Sequence, residues 1–141
     1  MFRACLLGLV GGVVITTAAA CGSNSTSPTL EPASTTEVWS STLAVGGSRF
    51  YSFNVPLGGT VSVVFKTLTQ DGAASAEQLT LGIGSPRSTD CAVSTSVVSG
   101  ATDAPLLSAV QVPGVYCFRI WDNAQLTKTA AFSVNINHPK Q

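Results

Sequence analysis

Over residues 37–138, large apolar residues recur at every second position in short runs, and each run ends in a cluster of Gly, Pro, Asp or Ser. Tyr51, Phe53 and Val55 alternate with Ser52 and Asn54, and Val61, Val63 and Phe65 alternate with Ser62, Val64 and Lys66. Leu79, Leu81 and Ile83 alternate with Thr80, Gly82 and Gly84, and Phe132, Val134 and Ile136 with Ser133 and Asn135. A period of two places one apolar face on a strand, whereas a helix needs apolar residues at i, i+3, i+4 and i+7, a pattern no stretch here shows. Gly46-Gly47-Ser48, Pro56-Leu57-Gly58-Gly59 and Pro113-Gly114 are turn signals between these runs. The spacing predicts eight strands, near 38–43, 49–55, 60–68, 79–83, 91–98, 106–112, 115–122 and 132–136. Residues 70–76, 85–90 and 99–103 read as loops. Eight short strands in about 100 residues indicate an all-β sandwich or barrel.

The first 36 residues follow other rules. Met1-Phe2-Arg3 is a short basic start, Ala4 to Ile15 is apolar with only Gly interrupting it, and Thr16 to Ala20 are small. That is the layout of a secretory signal peptide over 1–20, and the apolar run is shorter than the ~20 residues a membrane span needs. Ala18-Ala19-Ala20-Cys21 resembles the lipobox of bacterial lipoproteins, in which cleavage falls before the Cys and the Cys carries lipid; Ala18 stands where Leu is usual. The same small residues also suit ordinary signal peptidase, which would release a soluble secreted protein. If Cys21 is lipidated, the only other cysteines of the exported chain are Cys91 and Cys117, which then form the one possible bridge in a compartment where a disulfide persists. Two or three acyl chains hold a protein firmly, where one is marginal. The resemblance implies a membrane partner through the anchor and a place in the bacterial cell envelope, with Gly22 after the Cys leaning towards the outer membrane where one exists. Residues 22–36, GSNSTSPTLEPASTT, are too polar and small to offset the entropy of ordering, and residues 21–36 read as the lipidated Cys and a flexible linker. The domain then occupies 37–138, with 139–141 as a tail.

The segment Gly46 to Val55 resembles the "G-x-x-x-x-y-x-F-x-V" strand of bacterial pre-peptidase C-terminal β-sandwich domains. Pro113 to Asp122 is similar to their late "G-x-Y-x-x-x-v-x-D" strand, and Phe132 to Ile136 to their closing strand. The resemblance implies an antiparallel, jelly-roll-like sandwich that acts as a non-catalytic module, with an envelope polymer or a protein as its partner. Unlike those domains, this one is expected to stand without an attached enzyme, and it carries a Cys pair.

Chemistry-bearing residues are sparse. Seven Lys+Arg balance seven Asp+Glu, and charged residues are 10% of the chain, so the clustered positive charge that nucleic acid requires is missing. A nucleophile with a His base needs that His held rigidly beside it, and the single His138 reads as a solvated tail residue. Asp71, Asp90, Asp103 and Asp122 lie far apart and outside any D-x-D-x-D-G run, so they read as turn formers rather than calcium ligands. The expectation is no catalytic residue, no metal and no cofactor. Alternation along 115–122 puts Tyr116, Phe118 and Ile120 on a buried face and Cys117, Arg119 and Trp121 on a more open one. Trp121, with Arg119, Asp122 and Asn123 beside it, is the possible ligand-binding surface, where an indole face could stack on a sugar ring. Trp39 reads as packing, and Gly82-Ile83-Gly84 as turn chemistry.

Overall fold

The computed structural model describes residues 33–140. The signal segment 1–20, Cys21 and nearly all of the linker lie outside the described residues. Nine strands form two antiparallel sheets, with no helix among the described residues. They are β1 (Ser34–Leu43), β2 (Ser48–Val55), β3 (Gly59–Gln70), β4 (Ala73–Ala74), β5 (Leu79–Arg87), β6 (Asp90–Ser99), β7 (Leu107–Gln111), β8 (Gly114–Trp121) and β9 (Ala130–Pro139). One sheet runs β1-β9-β3, with β7 and the two-residue β4 sharing the far side of β3. The other runs β2-β8-β5-β6. Without β4, these orders are those of an eight-stranded jelly roll, in which every successive pair of strands but the β5–β6 hairpin passes between the two sheets.

The alternation in each run decides what faces inward. Val61, Val63 and Phe65 of β3 and Phe132, Val134 and Ile136 of β9 meet Leu79, Leu81 and Ile83 of β5 and Phe118 and Ile120 of β8 in one apolar core. A register shift between Phe65 and Thr67 lets Leu68 face the same core as Phe65, although the two are three positions apart. Leu126, in the β8–β9 connection where no strand is expected, closes one end of the core. Trp39 packs as expected, its ring centroid 5.1 Å from Phe132, 5.6 Å from Tyr51 and 5.9 Å from Phe118.

The expected loop 70–76 holds the end of β3 and the two-residue β4, and three further boundaries differ from the sequence expectation. β1 begins at Ser34, inside the expected linker, because Ser34, Thr35 and Thr36 pair with Pro139, His138 and Asn137. β9 correspondingly runs through Pro139, where a tail is expected. Residues 85–87 are strand rather than loop. Pro86 is tolerated there because pairing of β5 with β8 stops at Gly84, and beyond it β5 pairs with β6 alone.

Gly82 and Gly84 are not turn residues. Their backbones are those of a strand, and what matters is clearance. A Cβ on Gly84 would lie 1.9 Å from the Ala92 carbonyl oxygen, and one on Gly82 would lie 2.5 Å from a Val93 methyl. A bulge that leaves Ser94 between the pairs Ile83–Thr95 and Gly84–Val93 bends β6 over this gap, and the Ser94 hydroxyl donates to the Ile83 carbonyl at 3.1 Å. β6 can therefore reach across β5, and Cys91 is bonded to Cys117 of β8. Both cysteines are buried, so the bridge covers a face of β8 that alternation alone would leave open.

The bridge closes a separation of 26 residues. Restriction of the unfolded chain over such a loop contributes about 3.5 kcal/mol in the entropy model. The double variant Cys91→Ala/Cys117→Ala should lose about that much in urea unfolding and keep its strand circular dichroism.

Candidate functional site

The expected ligand surface lies on the outer face of the β2-β8-β5-β6 sheet. In register across it stand Ser48, Trp121 and Thr80, and one row further along stand Phe50, Arg119 and Gly82. The Arg119 guanidinium carbon sits 5.3 Å from the centroid of the half-buried Trp121 ring, within cation–π range. Arg119 Nε donates to Ser48 Oγ at 2.8 Å, and its Nη1 lies 3.3 Å from an Asp90 carboxylate oxygen. Ser48, Arg49, Phe50, Thr89, Asp90 and Arg119 line a shallow recess of about 530 Å³ beside this row. The recess forms because the β5–β6 hairpin, held down by the Cys91–Cys117 bridge, brings Thr89 and Asp90 opposite Phe50. Asp90 is remote from Arg119 in sequence, and no local motif pairs them.

Asp122 and Asn123 are engaged elsewhere. Asp122 is buried; its Oδ1 accepts the N–H groups of Gln125 (2.7 Å) and Leu126 (3.1 Å), and its Oδ2 accepts that of Gly46 (2.8 Å). Its own N–H donates to the Gly47 carbonyl at 3.0 Å. One carboxylate thus ties the β1–β2 turn to the β8–β9 connection and seats Leu126 in the core. Burial pushes this carboxyl up, but the three donors outweigh burial and hold it below the usual carboxylate range. Asn123 Nδ2 donates to the buried Thr80 Oγ1 at 2.5 Å. The Asp122 carboxylate is turned away from solvent, whereas Asn123 stays exposed with its Nδ2 held by Thr80.

His138 is not a solvated tail residue. It is 4% exposed and faces inward from β9, in phase with Phe132, Val134 and Ile136. One further step of the alternation would have found it. Its ring lies 5.4 Å from Phe53, its Nδ1 is 3.0 Å from the Pro139 carbonyl oxygen, and its Nε2 is 2.8 Å from Glu37 Oε1. The other Glu37 oxygen accepts the Tyr51 hydroxyl at 2.5 Å. Glu37 therefore faces inward on β1 while its neighbour Val38 faces out, the reverse of what hydropathy suggests. The triad joins β1 and β9 of one sheet to β2 of the other. Partial burial raises Glu37, but hydrogen bonds from Tyr51 and His138 and the charge of His138 leave its carboxyl below its ordinary value. The hydrogen bond to Glu37, then burial and the charge of Glu37, raise Tyr51.

The remaining carboxylates expected as turn formers sit apart. Asp71, at φ 52°, follows β3 and pairs with Lys128 at 2.5 Å, and Asp103 pairs with Lys66. Among the described residues no three His, Cys, Asp or Glu side chains are grouped as a metal site. No buried side-chain nitrogen or oxygen there lacks a partner.

These features define an all-β, disulfide-bridged jelly-roll domain whose polar side chains are largely committed to its own fold. No protein-family model matches the chain, and no curated protein matches it. The likeness to pre-peptidase C-terminal modules therefore rests on the strand motifs alone. A solved structure from Bacillus endospore appendages, a novel family of disulfide-linked pili, is similar to this chain with a TM-score of 0.42 and 15% identity, over 79% of this chain and 92% of that one. An overlap of that degree carries no functional argument.

Three carboxyls are held low, Asp103 by Lys66 at the exposed surface and Glu37 and Asp122 within the fold, and the latter two set the acid behaviour. Glu37 and Asp122 stabilise the fold above their unfolded-state values near pH 4, and that contribution fades as pH falls through their lower folded-state values. Denaturant midpoints of the parent protein should drop between about pH 5 and pH 2. Glu37→Gln and Asp122→Asn should each flatten the slope, and Asp122→Asn should cost about 1.5–3 kcal/mol at pH 7 because its donors are bonded to a charged group.

Proposed function

We propose that this protein is a lipid-anchored module of the bacterial cell envelope with a non-catalytic, binding or structural-accessory role. The observation that carries the reading is the Cys91–Cys117 bond, which leaves Cys21 without a partner among the three cysteines beyond the signal segment. An exported chain with one spare thiol behind three small residues suits lipid attachment at that thiol. Support for a non-catalytic role comes from where the reactive side chains are bonded. His138 is sealed against Glu37 and Phe53, Asp122 holds three backbone N–H groups, and Arg119 is shared between Ser48 and Asp90. A base or acid needs access to a substrate proton, and His138 and Asp122 have none.

A second reading, an envelope polymer as ligand, draws on the half-exposed Trp121 beside a recess lined by Arg49 and Phe50. With the Asp122 carboxylate engaged, such a ligand would meet the indole ring, the exposed Asn123 beside it and the rim of the recess. If this reading holds, Trp121→Ala weakens retention on cell-wall polysaccharide columns about tenfold, in line with the loss of one stacking contact. Retention equal to that of the parent removes it.

For the anchor, protein extracted from membranes should have an intact mass that shows acylation at Cys21, cleavage before it, and two hydrogens lost at the bridge. Cys21→Ala should move the protein to the soluble exported fraction. An unmodified Cys21 in native, water-soluble protein would sink the anchored reading.

A further inference from the structure

Among the described residues, four of the eight large apolar side chains left exposed gather at one pole of the sandwich. They are Leu57 (56% exposed), Val110 (81%), Val112 (71%) and Val115 (56%). Register brings them together. Val55 pairs with Gly114 and Asn54 with Val115, while Gly59 pairs with Gln111 and Thr60 with Val110. Leu57 tips the β2–β3 turn, whose Gly58 has φ +69° and lies so close to the β7–β8 turn that an added Cβ would be 3.0 Å from Pro113 Cδ. The Tyr116 hydroxyl donates to the Val112 carbonyl at 2.8 Å, which holds that turn in place. Val110 projects from one sheet, Val115 from the other, and Leu57 and Val112 stand between them. Single exposed apolar residues are ordinary, but a cluster on two fixed turns marks a contact surface.

The chain leaves the domain at this same pole. Ser34 pairs with Pro139, the Lys140 N–H donates to the Ala33 carbonyl at 2.8 Å, and an added Cβ on Gly59 would lie 2.8 Å from the Pro139 ring. Gly59 is thus wedged between the start of β1 and the β7–β8 turn. From Cys21 to Ala33 is 12 residues, a reach of at most about 40 Å. Whatever Cys21 is fixed to therefore lies within that distance of the apolar pole, which is the end of the domain nearest the point of attachment along the chain.

We propose that Leu57, Val110, Val112 and Val115 form a second membrane contact, dipping into the interfacial layer of the bilayer that carries the anchor. This rests on the proposed lipidation of Cys21. An acyl anchor keeps the domain at the surface but leaves it free to tumble. Apolar side chains on both flanks and at the tip of one pole would fix its orientation. Val45, in the β1–β2 turn at the opposite pole, is also exposed (53%) and serves as an internal control.

The test places a tryptophan by Leu57→Trp, Val112→Trp or Val45→Trp in protein purified from its own membranes. Each variant is reconstituted into phosphatidylcholine vesicles with brominated acyl chains, and its emission is read against the parent, which contains Trp39 and Trp121. The expected result is at least twofold quenching at positions 57 and 112 and none at 45. Equal quenching at all three positions, or at none, overturns the proposal. So does a pole that is protected together with a doubled particle mass, which would assign it to a second copy of the chain. Intact mass of the same sample reads the anchor separately. If Cys21 proves unmodified, the three variants are coupled through its thiol to a maleimide lipid, and the same contrast in quenching decides the pole.

Discussion

The Cys91–Cys117 bond depends on glycine at position 84, and much of the outer surface depends on that bond. With a Cβ 1.9 Å from the Ala92 carbonyl, any other residue there would hold β6 off the sheet. With glycine, the bulge at Ser94 lets β6 bend over β5, and Cys91 comes within bonding distance of Cys117 on a strand it does not pair with. The bend carries the β5–β6 hairpin towards β2, sets Asp90 beside Arg119, and encloses the recess near Phe50. A covalent bond, a missing side chain and one surplus residue thus act as a unit.

Strand positions were largely legible in the sequence because each inward residue reports its own burial every second position. Two-residue turns with Gly and Pro marked most of the ends. Boundaries failed where pairing supplied what side chains did not, as at Ser34–Thr36 and Ser85–Arg87. The sandwich was legible as a class, and its strand order was not, since nothing local says that β9 lies between β1 and β3. Candidate site residues fared unevenly. The bridge followed from counting cysteines. Asp122 and Asn123 read as polar groups beside Trp121, but their partners at Gly46 and Thr80 are distant in sequence, so neither the burial of Asp122 nor the Asn123–Thr80 bond is visible there. His138 reads as a tail residue from its nearness to the chain's end, although the alternation of β9 reaches it in one more step.

The Glu37–His138–Tyr51 group shows how a sandwich tolerates charge between its sheets. Both ring nitrogens of His138 face acceptors, and both oxygens of Glu37 face donors, so each polar atom that leaves water finds a partner. Burying such a group contributes modest net stability, because desolvation offsets much of the attraction. Its larger effect is on register. Sliding β1 by one residue against β9 would turn Glu37 out and Val38 in, leaving His138 and Tyr51 without their shared acceptor.

The first and last strands of the domain lie side by side, and the Lys140 N–H closes on the Ala33 carbonyl. A fold whose two ends meet this way occupies almost no span along a polypeptide. It could be spliced into a surface loop of a larger host, or reopened at another turn after its ends are joined, with little rearrangement of either partner.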